Sequence, residues 1–291
     1  MVTRHALAPG LRVLSRGAAE VQIGLGATRR LRLPRTAALT RVLEALARGE
    51  AAPVDRATRR ALALLAPVLV DADTLAPHGV APADAAALAL RSPGSHRAVL
   101  ERRGRSSVAV LGDPLPGGAD PAALLDAAGV PVVAGTGRAD LVLITSIGEP
   151  DRALLDPLVR DGVPHQLLRA VEGEVVVGPL VSPGRGACLR CLDAHHSVDD
   201  PLYPVLVGTH HRERRLDAVA EPVDSALLAL GVGWAVRDLV AHLDGETAAS
   251  WSATVRIGAD LAALSVVGWL PHPACGCGWS GAMGASATMG A

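Results

Sequence analysis

The sequence predicts an α/β protein in two parts: an N-terminal winged-helix-like module, then a Rossmann-type α/β domain carrying a structural zinc knot. Three observations predict it. Short alternating segments punctuated by glycines open the chain and give way to helical periodicity. Further on, near-continuous apolar runs such as LVLIT (141–145) alternate with amphipathic stretches, the pattern of strands covered on both faces. The four cysteines fall in two tight pairs, CLRC (188–191) and CGC (275–277), with none left over.

Taken in order, residues 11–14, 20–25 and 29–33 read as three antiparallel strands connected around Gly17 and Gly26, with Val21, Ile23 and Leu25 sharing one face. Residues 36–48 then set Leu39, Val42, Leu43 and Leu46 at helical spacing, and Gly49 closes the run. A second helix starts at the N-cap Asp55 and reaches Leu65, turning Leu62 and Leu65 inward and Arg56, Arg59 and Arg60 outward. This module occupies residues 1–75. Residues 76–105, punctuated by Pro77, Pro82, Pro93 and Gly94, read as a linker and an adaptor helix. The α/β domain spans 106–280, with strands expected at 107–111, 130–134, 141–145, 164–169, 174–177, 250–257 and 262–267. Helices are expected at 121–128, 151–161 and 225–243, with the sheet parallel. The Gly-, Ala- and Ser-rich residues 281–291 read as a disordered tail.

Composition narrows the function. With 291 residues and 49% apolar content the chain can bury cores for two domains, and with no Phe and one Tyr those cores must be Leu, Val and Ala. All 28 basic residues are Arg, and the net charge of −1 argues against a protein that coats nucleic acid non-specifically. Charge is nevertheless uneven. Residues 1–75 hold 12 Arg against 6 acidic residues, a balance of +6, which suits DNA or an acidic peptide and also suits plain solvation in a Lys-free chain. The N-terminal residues lack the apolar stretch of a secretory signal, and no run approaches the ~18 apolar residues of a membrane span, so a cytoplasmic protein without a membrane partner is expected.

Reduced cytoplasmic thiols favour metal over disulfide. Four soft donors in two chelating turns, Cys188, Cys191, Cys275 and Cys277, are the ligand set of a structural Zn2+, with Gly276 keeping the second turn tight. Two disulfides or four unrelated buried thiols are the alternatives. His272 sits between Pro271 and Pro273 and reads as a rim residue. A closed site has no open coordination position, and it leaves no thiolate free as a nucleophile.

A doubly wound domain cradles phosphate where its first strand turns into a helix, using G-x-G-x-x-G. Here that turn is degenerate. Reading from Gly112, Pro114 replaces the second glycine and lacks the N–H a phosphate needs, Asp113 adds a repelling carboxylate, and Gly117 fills the third position between Pro116 and Gly118. The acidic residue expected at the end of the next strand to hold a ribose is missing from Val132, Val133, Ala134 and Gly135, and Asp140 opens the strand after. These substitutions argue against ATP or a dinucleotide as cofactor.

The runs VLSRGAAEVQIGLGATRRLRLP, VVVGPLVSPGRGACLRCLDAHHSVDDPLYP and WLPHPACGC together resemble the actinobacterial ThiF-like proteins of thiazole/oxazole-modified peptide (TOMM) biosynthesis, over most of residues 10–280. The resemblance implies a winged-helix RiPP recognition element fused to a ThiF-like domain of the ubiquitin-activating-like superfamily, with the zinc knot on the four cysteines. It implies a non-catalytic scaffold, active in bacteriocin-type pathways, that captures a precursor leader peptide and presents it to a YcaO-type cyclodehydratase. That partner consumes the ATP. It also implies a homodimer. The segment ARGEAAPVD between the first two helices is short for such an element, so its middle helix is expected to be missing, which also weakens a helix-turn-helix reading.

The expected mode is strand addition. A leader pairs with the edge formed by Arg29, Arg30, Leu31, Arg32 and Leu33 while Arg56, Arg59 and Arg60 select acidic residues. His195, His196, Asp199 and Asp200 invite a catalytic or second-metal reading but are expected to form a polar loop near the zinc. His210 and His211, with Arg212, Arg214 and Arg215, are expected on a solvated or subunit-facing strip. The rival functions are an ATP-dependent adenylating enzyme and a winged-helix DNA-binding regulator.

Overall fold

A computed structural model describes residues 4–53, 55–75, 79–214 and 221–277. The expectations for residues 281–291, Pro77 and Arg215, and for the side chains of Arg212 and Arg214, lie outside what is described. The chain divides into two compact units, residues 1–101 with 127–129, and 102–126 with 130–291.

In the first unit, β2 (Val13–Arg16), β3 (Glu20–Ile23) and β4 (Leu31–Pro34) form an antiparallel sheet in that order. The third strand starts two residues later than expected, because residues 27–29 close a short 3-10 turn first. Val21 pairs with Leu33 and Ile23 with Leu31, so one face of the sheet is apolar. It packs on α1 (Ala37–Ala47) and α2 (Arg56–Leu65), burying Leu39, Val42, Leu43, Ala61 and Leu65 against Ile23 and Leu33. Thr36 caps α1 by accepting from the Leu39 N–H at 3.1 Å. Asp55 caps α2 in a reciprocal box with Thr58. Among the described residues between the two helices there is no further helix.

Two pieces were not legible. β1 (His5–Leu7) pairs antiparallel with β5 (Leu69–Asp71), and the stretch read as a linker and one helix carries two, α3 (Pro82–Arg91) and α4 (His96–Arg105). Ala85, Leu88 and Ala89 of α3 are buried, with Ala89 against Ala8 and Val70. Pro82 starts a helix here rather than breaking one, since the first helical turn needs no donor from it.

The second unit is built on a six-stranded sheet of order β11-β10-β9-β8-β7-β6, made of β6 (Val108–Gly112), β7 (Leu141–Ile147), β8 (His165–Val171), β9 (Glu174–Val181), β10 (Ala253–Ile257) and β11 (Ser265–Gly268). Only β6, β7 and β8 are parallel, and from β8 to β11 every pairing is antiparallel. The expected parallel sheet is therefore a mixed one. The switch is a two-residue hairpin, Glu172-Gly173, with φ of 51° and 83°, the left-handed pair that a type I′ turn demands. Apolar runs report burial on both faces and carry no direction, so this step was invisible to hydropathy.

The strand expected at 130–134 is reduced to one parallel bridge from Val132 to Val108. Pro131 contributes only its carbonyl, and Gly135 turns the chain away at φ 72°. The unit also contains α5 (Pro121–Ala127), α6 (Arg152–Arg160), α7 (Leu189–Asp199), α8 (Tyr203–Arg214) and α9 (Ser225–Leu243). Helix α9 spans the expected residues and lies so close to β8 and β9 that a Cβ on Gly231 would meet Val175 at 2.3 Å. It is the one described helix long and apolar enough to cross a membrane, but over half of that window is buried within the protein, as in a core helix.

Candidate functional site

The four cysteines converge although Cys188 and Cys275 are 87 positions apart in the sequence. Cys188 is the N-cap of α7 and Cys191 lies in its first turn, while Cys275 and Cys277 flank Gly276, which adopts φ 76°. The Sγ atoms of Cys188 and Cys191 are 3.8 Å apart, Cys188 to Cys275 3.4 Å and Cys191 to Cys277 3.3 Å, all four within 4.8 Å of one another. No pair is at disulfide distance. With Zn–S bonds of ~2.3 Å a tetrahedron has edges of about 3.8 Å, so the spacing and the all-sulfur donor set fit a closed tetrahedral ion such as zinc.

The electrostatics point the same way. Hydrogen bonds from Cys188 and Cys275 hold the Cys191 thiol below its ordinary value, and its sulfur also accepts the His272 N–H at 3.3 Å. Burial, then the Cys191 sulfur, pushes Cys277 up to about 12. Crowded thiols cannot all ionise unless a cation sits among them.

His195 and His196 are not in a loop. They ride on α7, where His195 Nε2 bonds the Leu270 carbonyl at 2.8 Å and its ring meets Trp269 and His272. The His196 ring packs on Tyr203 and Trp269. Both brace the segment that delivers Cys275 and Cys277. Among the described residues the four cysteines are the only metal-ligating cluster, so the histidines and Asp199 form no second one. His272 contributes its backbone and stays at the rim. His211 is not simply solvated, because Nδ1 contacts the Glu149 carbonyl at 3.0 Å.

The turn after β6 is held by close contacts with β7. Gly112, at φ 113°, runs so close to β7 that a Cβ would meet the Thr145 carbonyl at 2.0 Å. Asp113 accepts the Ile147 N–H through Oδ2 at 2.9 Å, and Thr145 donates its hydroxyl to the Asp113 carbonyl at 2.7 Å. Pro114 follows without an N–H, and Gly117, at φ 75°, packs against Ser225 at the start of α9. The helix after the turn, α5, has only seven residues, so its dipole is short. Asp140 accepts from the Ser107 N–H at 2.8 Å and sits at the N-terminal end of β7, the wrong end of a parallel sheet for ligand binding.

In the first unit, β4 is an edge strand. Arg32 is exposed, Leu33 is 7% exposed in the core, Leu31 is half-buried, and Pro34 ends the strand where an edge tolerates it. Arg29 precedes the strand and donates to the Leu90 carbonyl, with Arg30 exposed beside it. A cavity of about 220 Å³ opens next to Arg29, Arg30 and Leu31, walled by Leu11, Val68 and Leu90. Arg56, Arg59 and Arg60 are exposed on α2 and do not line it. The structure thus brings Arg29 to Leu31 together with a concave surface and leaves the three α2 arginines elsewhere.

A buried ion-pair network escaped the sequence reading. Arg152 forks onto Asp193 at 2.9 and 2.8 Å and also donates to Glu149 at 2.6 Å, and Arg169 donates to the other Glu149 oxygen at 2.6 Å. Burial alone would raise the Glu149 carboxyl, but Arg169 and Arg152 outweigh it and hold it below the usual range. Glu149 and Arg152 are an i,i+3 pair, but no local spacing joins them to residues 169 and 193, so only the fold could reveal the network.

The architecture recurs in solved heterocyclase and MccB structures. Aligned on the heterocyclase TruD, 94% of the chain superposes with a TM-score of 0.69 at 18% identity; on a heterocyclase in complex with substrate and cofactor, 95% superposes at 0.65 and 15%. The chain spans only 42% and 39% of those two proteins. E. coli MccB with ATP matches over 94% of this chain and 99% of its own length, with a TM-score of 0.60 and 11% identity. No protein-family model and no curated protein sequence matches. Identities this low speak for the fold alone.

Proposed function

We propose that this chain is a non-catalytic scaffold that binds the leader of a ribosomal precursor peptide and presents it to a YcaO-type cyclodehydratase in thiazole/oxazole-modified peptide biosynthesis, its second unit stapled by a structural zinc ion. The carrying observation is the turn after β6. In a fold shared with MccB, whose structures include one with ATP, this chain holds Asp113 against β7 through the Ile147 N–H and the Thr145 hydroxyl. A phosphate there would find Pro114 without a donor and the Asp113 carboxylate beside it.

Further support comes from the edge strand of the first unit. The β4 strand lies at the edge of its sheet, and the cavity beside Leu31 offers a mixed pocket walled by leucines and by Arg29 and Arg30, the two parts of strand-addition binding. Exposed ion pairs contribute only ~0–1 kcal/mol each, so the edge and pocket dominate while Arg29 and Arg30 beside the pocket tune selectivity. The zinc ion would hold its four thiolates and do no chemistry.

Fluorescence titration of a labelled precursor leader against the wild type and Leu31→Pro tests the reading. Loss of tenfold or more in affinity is expected. Equal affinity, or pyrophosphate exchange by the purified chain with ATP and a carboxylate, overturns it.

A further inference from the structure

Within the second unit a cavity of about 440 Å³ lies between α8 and one face of the sheet. Strand register sets its floor. Arg169 on β8 pairs with Val176 on β9, which pairs with Arg256 on β10, so arginine, valine and arginine cross three neighbouring strands in a row. The alternate residues Leu168 and Val175 face the other way, toward α9.

The charges on that floor are spent on one another. Glu149 takes Arg169 and Arg152, Asp193 takes the fork of Arg152, and Glu174 takes Arg256 at 3.0 Å. Glu172, exposed where the cavity opens, adds one more carboxylate, so an incoming anion meets repulsion and no spare cation. What is left over is hydrogen-bonding capacity without charge. Arg169 Nε and His210 Nδ1, both on cavity-lining residues, are buried with no partner, and Arg169 as a whole is 6% exposed. A buried donor left unpaired costs ~1–3 kcal/mol, and folded proteins keep few such groups.

We infer that this cavity binds a short uncharged stretch of extended peptide. A main-chain carbonyl accepts from Arg169 Nε–H, a main-chain N–H donates to His210 Nδ1, and a small apolar side chain rests on Val171, Val176 and Val207. An amide is the group that supplies one acceptor and one donor with no net charge, and the cavity volume falls in the ~300–1,000 Å³ range of small-ligand sites. The inference stands on the second unit alone and does not need the β4 edge. Together the two would give the scaffold separate holds on the same substrate.

The test uses the full chain and a blocked, uncharged probe, N-acetyl-dialanine methylamide, followed through imidazole nitrogen NMR signals. One imidazole resonance should shift with millimolar probe and be missing from His210→Phe, whose affinity for the probe, read by calorimetric titration, should be at least tenfold weaker. Arg169→Lys keeps a cation opposite Glu149 but deletes the Nε–H, and should weaken binding similarly. Acetate at equal concentration should leave the resonance in place. Absence of any imidazole shift, an equal shift with acetate, or wild-type affinity in His210→Phe overturns the inference. Should Arg169→Lys fail to fold, His210→Phe decides alone. The probe carries no leader sequence, so its outcome is independent of the Leu31→Pro titration.

Discussion

At the scale of single residues, the chemistry rests on a few side chains whose surroundings leave them one role. Cys191 accepts a backbone N–H from residue 272 while bridging toward Cys277, so its sulfur is committed twice over. Cys191→Ser and Cys277→Ser should each reduce bound zinc from one ion per chain to well below half, read by elemental analysis after dialysis; full occupancy in either variant would contradict the ligand assignment. Glu149 offers a pH signature. Its folded pKa is depressed below 4.5 by Arg169 and Arg152 against the pull of burial, so it contributes stability that is complete above pH ~4.5 and is lost as pH falls through the folded value. Melting temperature measured from pH 6 to pH 3 should therefore drop, and Glu149→Gln, less stable at pH 6, should show a shallower drop. The cysteines could be named from the sequence because chelating pairs announce themselves at short range. The network of Glu149, Arg152, Arg169 and Asp193 could not, since beyond the i,i+3 pair of Glu149 and Arg152 its members come from distant elements.

Elements whose stability is local were the most legible. Helix α1 carries its cap, Thr36, and its apolar stripe in one stretch, and α2 carries the Asp55 and Thr58 box. Thr36→Ala should therefore cost ~1 kcal/mol in chemical denaturation of the first unit, with no change in bound zinc; a cost near zero would mean that the Leu39 N–H finds another partner. Helix α9 was equally plain, because nineteen residues beginning after the N-cap Asp224 allow no other element. Elements held by distant partners were misread. The bridge at Val132 fell short of a strand because Pro131 and Gly135 interrupt it, α7 was taken for a loop because its polar face is turned to rings from Trp269 and Tyr203, and β1 exists only because β5 returns to pair with it.

For the whole molecule, two units with separate cores should unfold as separate events. The clustered cysteines belong to the core of the second unit, where Cys188 and Cys191 pack with Val142, Leu167 and Leu189. Chelation by excess phenanthroline should lower one calorimetric transition by about 5 °C or more and leave the other in place, since a ligand at 1,000 times its Kd stabilises by roughly 4 kcal/mol. A uniform shift of both would place the metal's influence elsewhere. By itself the sequence determined the order of most helices and strands, the α/β character and the two chelating cysteine pairs, because each depends on neighbours a few residues away. Only the tertiary structure decided that the sheet is mixed, that Asp113 bonds to Thr145 and Ile147 of β7, and that Arg169 and His210 line one cavity. Those facts depend on which strands pair and in which register, a choice fixed by packing across the whole sheet that leaves no periodic trace in the chain.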